Sequence, residues 1–320
     1  MTKFLLFFIA ALFSANVCAE ATKLSVVVGG PVGGALDNIA RIMKTQLESQ
    51  TDTKYQVEVL NRPGNGPVAA ANFFLTNRNA TQDNEVQILL TVSSVLIPVY
   101  MQNSLPADTD QKLQPLTLVG KMRPLIHANP ALPINSLRDL DSLGKTHITF
   151  TTPGSSTTMF LIASQIEKQI KTPMVHVPVS SIPNALNMLL GNHVDLVFDV
   201  GQYYEMATGG KTKIVSIISD KNWTEFGDNL LLPKQLPGKI EHDLSYYIIF
   251  GSQKNNTALQ NKVSQDLKNL AATNTQFRQL LKNLHLELPT KQDVDNTDKT
   301  WAESIKRFKK LSTEIKLPNQ

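Results

Sequence analysis

Residues 26–43 read VVVGGPVGGALDNIARIM. The run Lys23–Val28 that leads into this stretch is rich in β-branched residues, a strand that Gly29-Gly30-Pro31 stops. From Ala35 to Glu48 the apolar residues Ile39, Ile42, Met43 and Leu47 fall on one helical face. A strand handed to a helix through a glycine loop is the opening unit of an α/β domain.

Two readings of that loop stand side by side. Glycine permits positive φ and lets a ligand approach the backbone. The helix start behind it offers unpaired N–H groups and about half a positive charge, so Pro31, Val32, Gly33 and Gly34 can hold a carboxylate or a phosphate. Equally, the loop is a tight strand-to-helix turn, with Asp37 a first-turn carboxylate favoured by the helix dipole. It carries no nucleotide fingerprint, neither GxxxxGK(S/T) nor a clean GxGxxG register.

Outward from this unit the alternation continues. Tyr55–Leu60, Val86–Val92, Leu113–Val119 and Leu125–Ala128 read as strands, and Val68–Leu75 as a helix. The rhythm then restarts. Ser136–Ser142 is a short helix, His147–Phe150 a strand, Thr158–Gln169 a helix and Met174–Val177 a strand. Asn184–Leu190 is a helix, followed by strands at Val194–Phe198 and Lys213–Ile218. After a strand at Ser245–Phe250, the stretches Ala258–Ala272, Thr275–Leu284 and Asp298–Leu311 are helical. Asn222–Asp243, with Pro233 and Pro237, reads as a long surface loop. The fold class is α/β, in two lobes, with the C-terminal helices returning to one of them.

A second loop, Thr151-Thr152-Pro153-Gly154-Ser155-Ser156-Thr157-Thr158, again lies between strand and helix. Its hydroxyls cap the helix, or they join the first loop in clamping a carboxylate between lobes. The magnitudes suffice for the clamp. Micromolar affinity needs about 8 kcal/mol; hydrogen bonds to a charged group contribute about 1.5–3 kcal/mol each, and a helix terminus up to about 1–2.

The 320 residues are 42% hydrophobic, 18% charged and 7% aromatic, enough apolar surface for about two domain cores. That composition excludes collagen, a disulfide-stapled scaffold, a coiled coil and an acidic disordered chain. Only the first residues form a sustained apolar run, which argues against a polytopic membrane protein. The +4 charge reflects 31 basic against 27 acidic residues. No long basic block interleaves with aromatics, so nucleic acid is not an expected partner. Lys306-Arg307-Phe308-Lys309-Lys310 reads as a solvated helix face.

Met1–Glu20 reads MTKFLLFFIAALFSANVCAE. Lys3 supplies a positive start, Phe4–Phe13 is too short for a comfortable membrane span, and Val17-Cys18-Ala19 fits a cleavage site. The expectation is a signal peptide over residues 1–19, cleaved near Ala19. Lipidation of Cys18 is one alternative, for which Asn16 and Val17 make a poor box; a retained anchor is another. Cleavage removes the one cysteine, and with it disulfides, a thiol nucleophile and thiolate metal ligands.

An exported chain of this size is commonly a binding protein or a hydrolase. No GxSxG elbow occurs; Gly154-Ser155-Ser156 and Gly251-Ser252 lack the flanking glycine. The histidines, His127, His147, His176, His193, His242 and His285, form no HExxH or HxH pattern. Asp195 and Asp199 can pair as acid and base, but Asp195 fits a helix-to-strand turn better. No catalytic residue, metal site or cofactor is expected. Asn61-Arg62-Pro63-Gly64-Asn65-Gly66 reads as a turn with a structural role.

Taken together, these motifs resemble the tripartite tricarboxylate transporter receptor (Bug) family of periplasmic solute-binding proteins. Pro31, Gly33, Gly34, Asp37, Ala40 and Arg41 match its strand, PxGGxxD loop and helix with an Ala-Arg pair. Asn61 to Gly64 match its Asn-Arg-Pro-Gly turn; Ser136, Leu137 and Leu140 match its Pro-x-x-Ser-Leu-x-x-Leu element. Ala185, Leu186, Gly191, Val194 and Asp195 match its Ala-Leu helix and Gly-x-Val-Asp turn. Departures occur in the second loop, where Ser156, Thr157 and Phe160 replace the usual residues, and at Pro178-Val179-Ser180-Ser181. The usual Asp-Gly-Tyr-Thr before the third strand is also missing around Asp83–Gln87.

The resemblance implies a two-lobed, type II Venus-flytrap fold with crossing strands as the hinge. Lobe 1 would span 20–123 plus 250–320, and lobe 2 would span 124–249. It also implies a non-enzymatic, monomeric periplasmic receptor for a small organic anion, a carboxylate, partnered by membrane transporter subunits. Pro31, Val32, Gly33 and Gly34 would contact the ligand, with Asp37 orienting the loop or meeting a ligand hydroxyl or amine. Thr152, Gly154, Ser155, Ser156 and Thr157 would close from the other lobe. Thr91, Val92, Ser93, Ser94, Val179, Ser180 and Asp199 sit at predicted strand ends, where open α/β sheets bind ligands. The rival readings are a membrane sensor component and an exported hydrolase using Ser155 or Ser156.

Overall fold

A computed structural model describes residues 21–50, 54–77, 84–219, 230–241 and 245–315. The expected signal peptide, Cys18, Asp83 and much of the expected long loop lie outside the described residues.

In chain order the first elements are β1 (Thr22–Val28), α1 (Ala35–Glu48), β2 (Tyr55–Asn61), α2 (Val68–Thr76) and β3 (Glu85–Val92). A 3-10 turn (Ser93–Val95), α3 (Leu96–Tyr100), α4 (Thr109–Lys112) and β4 (Leu113–Lys121) follow. The chain then crosses to β5 (Leu125–Ala128), a 3-10 helix (Leu137–Ser142), β6 (Ile148–Thr151), α5 (Thr158–Glu167) and β7 (Met174–His176). Next come α6 (Ile182–Leu190), β8 (Leu196–Asp199), α7 (Glu205–Thr208), β9 (Lys213–Ile217) and α8 (Leu232–Gln235). It returns through β10 (Tyr246–Ser252) to α9 (Thr257–Thr273), α10 (Thr275–Lys282), α11 (Lys291–Asp295) and α12 (Thr297–Glu314).

Two sheets result, ordered β2-β1-β3-β10-β4 and β7-β6-β8-β5-β9. Each has the same plan. Three strands are parallel, the fourth is reversed, and the fifth pairs antiparallel with that fourth. The reversed strand in each case is the one that begins just after the chain has crossed between sheets. Met122–Pro124 makes the outward crossing, and the Met122 N–H bonds to the carbonyl of Ser245 on the return, 2.9 Å away. The two crossings are thus hydrogen-bonded to each other.

Parallel strands are covered on both faces, so their sequences are continuously apolar. Val26, Val27 and Val28 in β1 and Ile88, Leu89 and Leu90 in β3 are fully buried. The expected loop around Pro233 contains one short helix, α8, which Pro233 can enter because its missing N–H costs nothing in a first turn. The short α3, α4, α7 and α11 have too few residues for an apolar period, which is why spacing did not reveal them.

In the C-terminal basic run, Phe308 is buried. Lys309 Nζ lies 5.2 Å from the centre of the Tyr100 ring and 3.9 Å from Asp110. The Asp195 carboxylate accepts from the N–H and hydroxyl of Thr149, each at 2.9 Å, and from Lys145. It ties a turn to β6, a structural role.

Candidate functional site

Between the two sheets lies a cleft of about 920 Å³. Its walls are mostly loops that follow the C-terminal ends of parallel strands, where helix starts are brought together. Four such starts line it: Gly30–Leu36 leads into α1, Pro63–Pro67 into α2, Pro153, Gly154 and Thr157 into α5, and Val179–Pro183 into α6. Two come from each sheet's lobe. Among the described residues that line the cleft, none is Lys, Arg, His, Asp or Glu.

The first loop is held from behind. Gly33 has φ +78° and nothing within 4 Å of where a Cβ would lie, so its backbone faces open space. The Gly33 N–H donates to Asp37 Oδ2 at 2.8 Å, and Arg41 Nε donates to the same oxygen at 2.8 Å. Asn61 Nδ2 reaches the Gly30 carbonyl at 3.0 Å from the end of β2. Asp37 is buried, which pushes its carboxyl upward. Hydrogen bonds from Arg41 and the Gly33 N–H outweigh that and hold it below the ordinary carboxylate range. Of the two roles expected for Asp37, orienting the loop is the one these bonds perform. Val32 stands at the loop tip, 71% exposed, and offers an apolar contact to whatever enters.

In the second loop, Gly154 has φ +101° and lines the cleft with Thr157. Thr157 caps α5 by accepting from the Phe160 N–H at 3.2 Å, while its hydroxyl donates to the Gly154 carbonyl at 2.9 Å. Thr152 is fully buried behind them, its hydroxyl 3.0 Å from the Gly154 carbonyl and 2.9 Å from His176 Nε2. His176 packs 5.0 Å from Phe150 and 4.6 Å from Phe160, ring centre to ring centre. Burial pushes it down to about 4 from 6.5, only partly offset by a hydrogen bond that the ring donates to the Thr152 backbone. Between those two values the unfolded chain takes up a proton that the folded chain refuses, so stability falls as pH drops from about 6.5 to about 4. The melting temperature of the wild type is expected to fall over this range more steeply than that of His176→Gln. Parallel curves would contradict it.

Ser155 and Ser156 belong to a different contact. Gln102 Nε2 donates to Ser155 Oγ at 3.1 Å, and Ser156 Oγ lies 2.6 Å from Gln102 Oε1 and 3.2 Å from Asn65 Oδ1. A Cβ on Gly66, which has φ +58°, would come within 3.4 Å of Ser156. These contacts join the two lobes at one edge of the cleft. Amide groups are no general base for either hydroxyl, so this arrangement lends nothing to a serine nucleophile.

Behind the opposite wall, Asp199 is fully buried. Its Oδ2 accepts from the Tyr203 N–H at 3.0 Å and lies 3.4 Å from His127 Nε2. It does not line the cleft; Val200, Gln202 and Tyr203 do, with Tyr247 of β10. Burial, then the Asp199 carboxylate, push both tyrosine phenols up. Both therefore remain neutral hydrogen-bond donors at any physiological pH.

Among the residues expected at the site, Pro31, Val32, Gly33, Gly34, Gly154, Thr157, Val179 and Ser180 line the cleft. Asp37, Thr91, Ser93, Thr152, Ser155, Ser156 and Asp199 do not; they are buried. Most are engaged with protein groups. Ser93 accepts from the Tyr246 N–H at 3.3 Å, and Thr91 Oγ1 lies 3.1 Å from where a Gly29 Cβ would be. The turn at Asn61–Gly66, read as structural only, supplies Pro63, Gly64, Asn65 and Gly66 to the cleft. Arg62 does have a structural role, with its guanidinium 4.1 Å from the centre of the Phe73 ring. Ser94, Met122, Tyr203 and Tyr247 also line the cleft, and of these only Ser94 was expected.

A family model described as tripartite tricarboxylate transporter family receptor matches residues 39–317. A UPF0065 protein of Bordetella bronchiseptica is 24% identical over 218 residues, 67% of this chain and 63% of that relative. The match to another, from a Pseudomonas strain, spans about half of each protein, 54% of this chain and 51% of the relative. Among solved structures, periplasmic binding protein BugD superposes with TM-score 0.76 at 19% identity, covering 93% of this chain and 99% of that one. An R. palustris protein with adipate gives TM-score 0.75 at 14% identity, covering 95% and 100%. MatC from Rhodopseudomonas palustris with bound malate gives TM-score 0.71 at 17% identity, covering 92% and 99%. The two-lobed fold is shared with these proteins.

Proposed function

The chain belongs to the tripartite tricarboxylate transporter family of receptors, and on that premise we propose that it is a non-enzymatic periplasmic receptor for a small carboxylate. In this reading the ligand is captured between lobe 1 (20–123 plus 246–320) and lobe 2 (124–245); the boundary expected at 250 moves back because Tyr246–Ile249 of β10 pair in the first sheet. The closed monomer then delivers it to membrane subunits of a tripartite transporter. The observation that carries the proposal is the convergence of four helix starts on one cleft whose described lining has no ionic side chain. Each start presents N–H groups and about half a positive charge. Together they can offset one or two carboxylates without the desolvation cost of a buried arginine.

The neutral phenols of Tyr203 and Tyr247 add donors, and Val32, Met122 and Met159 give the ligand's carbon body apolar surface. Adipate and malate bound in similar structures support the carboxylate class. A thermal-shift screen of mono-, di- and tricarboxylates against the purified protein tests the reading. At least one carboxylate should raise the melting temperature saturably. Stabilisation by cationic or neutral solutes alone would overturn it.

A further inference from the structure

A second cavity, of about 430 Å³, lies apart from the ligand cleft and shares no lining residue with it. Its wall consists of Arg123, Tyr204, Arg278, Lys282, His285 and two leucines. These come from three parts of the fold. Arg123 is in the outward crossing between β4 and β5, and Tyr204 follows β8 in the second lobe. Arg278 and Lys282 are on α10 of the first lobe, with His285 just beyond its end.

The chemistry of this cavity is the reverse of the cleft's. Two arginines, a lysine and a histidine share one small space, and no carboxylate is among the described residues that line it. Arg278 and Lys282 are four residues apart on one helical face, where like charges repel. Glu205 lies 3.7 Å from His285 Nε2, with its own side chain 72% exposed. Two features hold the cluster in place. The Arg278 guanidinium donates to the carbonyls of Ala271 at 2.6 Å and Pro289 at 2.8 Å. His285 sits at φ +58°, an uncommon conformation for a non-glycine residue, with its ring edge-on to Tyr204 at 4.4 Å.

We propose that this hinge-side cavity is a second anion site, which takes a compact oxyanion of the phosphate or sulfate class on Arg123, Arg278, Lys282 and His285. Such an anion relieves the repulsion between Arg278 and Lys282, and guanidinium groups match tetrahedral oxyanions through paired N–H donors. Because the groups come from both lobes and from the crossing between them, an anion held here ties the lobes together at the hinge. Its occupancy is therefore linked to their relative angle.

The test titrates inorganic phosphate against the full protein, with sodium chloride at matched ionic strength as the control. Binding is read by calorimetry and by melting temperature. Phosphate should bind saturably at one site beyond the chloride effect. Lys282→Glu should weaken it at least tenfold, and Arg123→Gln should do the same by a variant that reverses no charge. Gly33→Val, in the ligand cleft, should leave phosphate binding intact. Equal effects of phosphate and chloride would overturn the proposal. So would phosphate binding that survives both hinge variants yet is lost in Gly33→Val, since the anion would then sit in the ligand cleft.

Discussion

Asp37→Ala is expected to weaken carboxylate binding at least tenfold, about 1.4 kcal/mol or more, while the protein still folds. One carboxylate oxygen receives both the Gly33 N–H and Arg41 Nε. Hydrogen bonds to a charged group are worth about 1.5–3 kcal/mol each when both partners are otherwise dry. Here Arg41 is 53% exposed and Gly33 faces open space, so both recover water when Asp37 is removed. The stability loss should therefore stay near about 1–2 kcal/mol. Binding suffers more, because the carboxylate fixes where the N–H groups of the glycine loop point. Asp37→Asn should fall between, since its amide oxygen still accepts from Gly33 but the charge on Arg41 goes unanswered.

A pH signature accompanies this. The folded Asp37 carboxyl lies below its ordinary value of 3.8. Its contribution to stability is complete above about pH 4 and disappears as pH falls through the lower folded value. Acid unfolding of the wild type should thus be steeper than that of Asp37→Asn. Unchanged affinity in Asp37→Ala, measured by calorimetry, would contradict the role given to this residue.

Gly201→Ala should have the largest effect on stability. Gly201 follows β8 with φ +94°, where an alanine is strained by about 1–3 kcal/mol. Its Cβ would also overlap the carbonyl of Arg123, coming 2.8 Å from the carbonyl carbon and 3.2 Å from Arg123 Cβ. The obstacle is backbone in the crossing segment, whose Arg123 N–H is bonded to Val200 at 3.3 Å, so it cannot simply rotate away. Overpacking of this kind adds about 1–3 kcal/mol. A total of about 3 kcal/mol or more is expected from urea unfolding midpoints. A loss under about 1 kcal/mol would show that the crossing yields easily.

The glycine loop before α1 was legible because three independent signals coincide there: a β-branched run, glycines, and a helical apolar stripe. The strand-end residues were legible only to within one position. Of Thr91 to Ser94, all expected there, Val92 and Ser94 line the cleft and Thr91 and Ser93 do not; Asp199 was expected, whereas Val200 does. Side chains alternate along a strand, so an error of one residue in phase sends the side chain to the opposite face. Sequence periodicity cannot set that phase where a parallel strand is apolar on both faces, as β1 and β3 are.

Asn61–Gly66 carries an unambiguous turn signal, but nothing local says that the turn faces a cleft. That depends on how the second lobe packs, which brings Ser156 against Asn65. Tyr203 and Tyr247 were missed for the same reason. They are 44 positions apart in number and come together only in the folded cleft, where the buried Asp199 acts on both.

The central claim is that backbone N–H groups at helix starts, with neutral donors, bind a carboxylate in a cleft whose described lining has no ionic side chain. The most direct measurement is a calorimetric titration with the strongest carboxylate from the screen beside its methyl ester, which keeps the shape and removes the charge. The account predicts that the ester loses at least a hundredfold in affinity, about 2.7 kcal/mol, while added salt barely weakens the acid because the site is screened little. An ester that binds as tightly as the acid would contradict it.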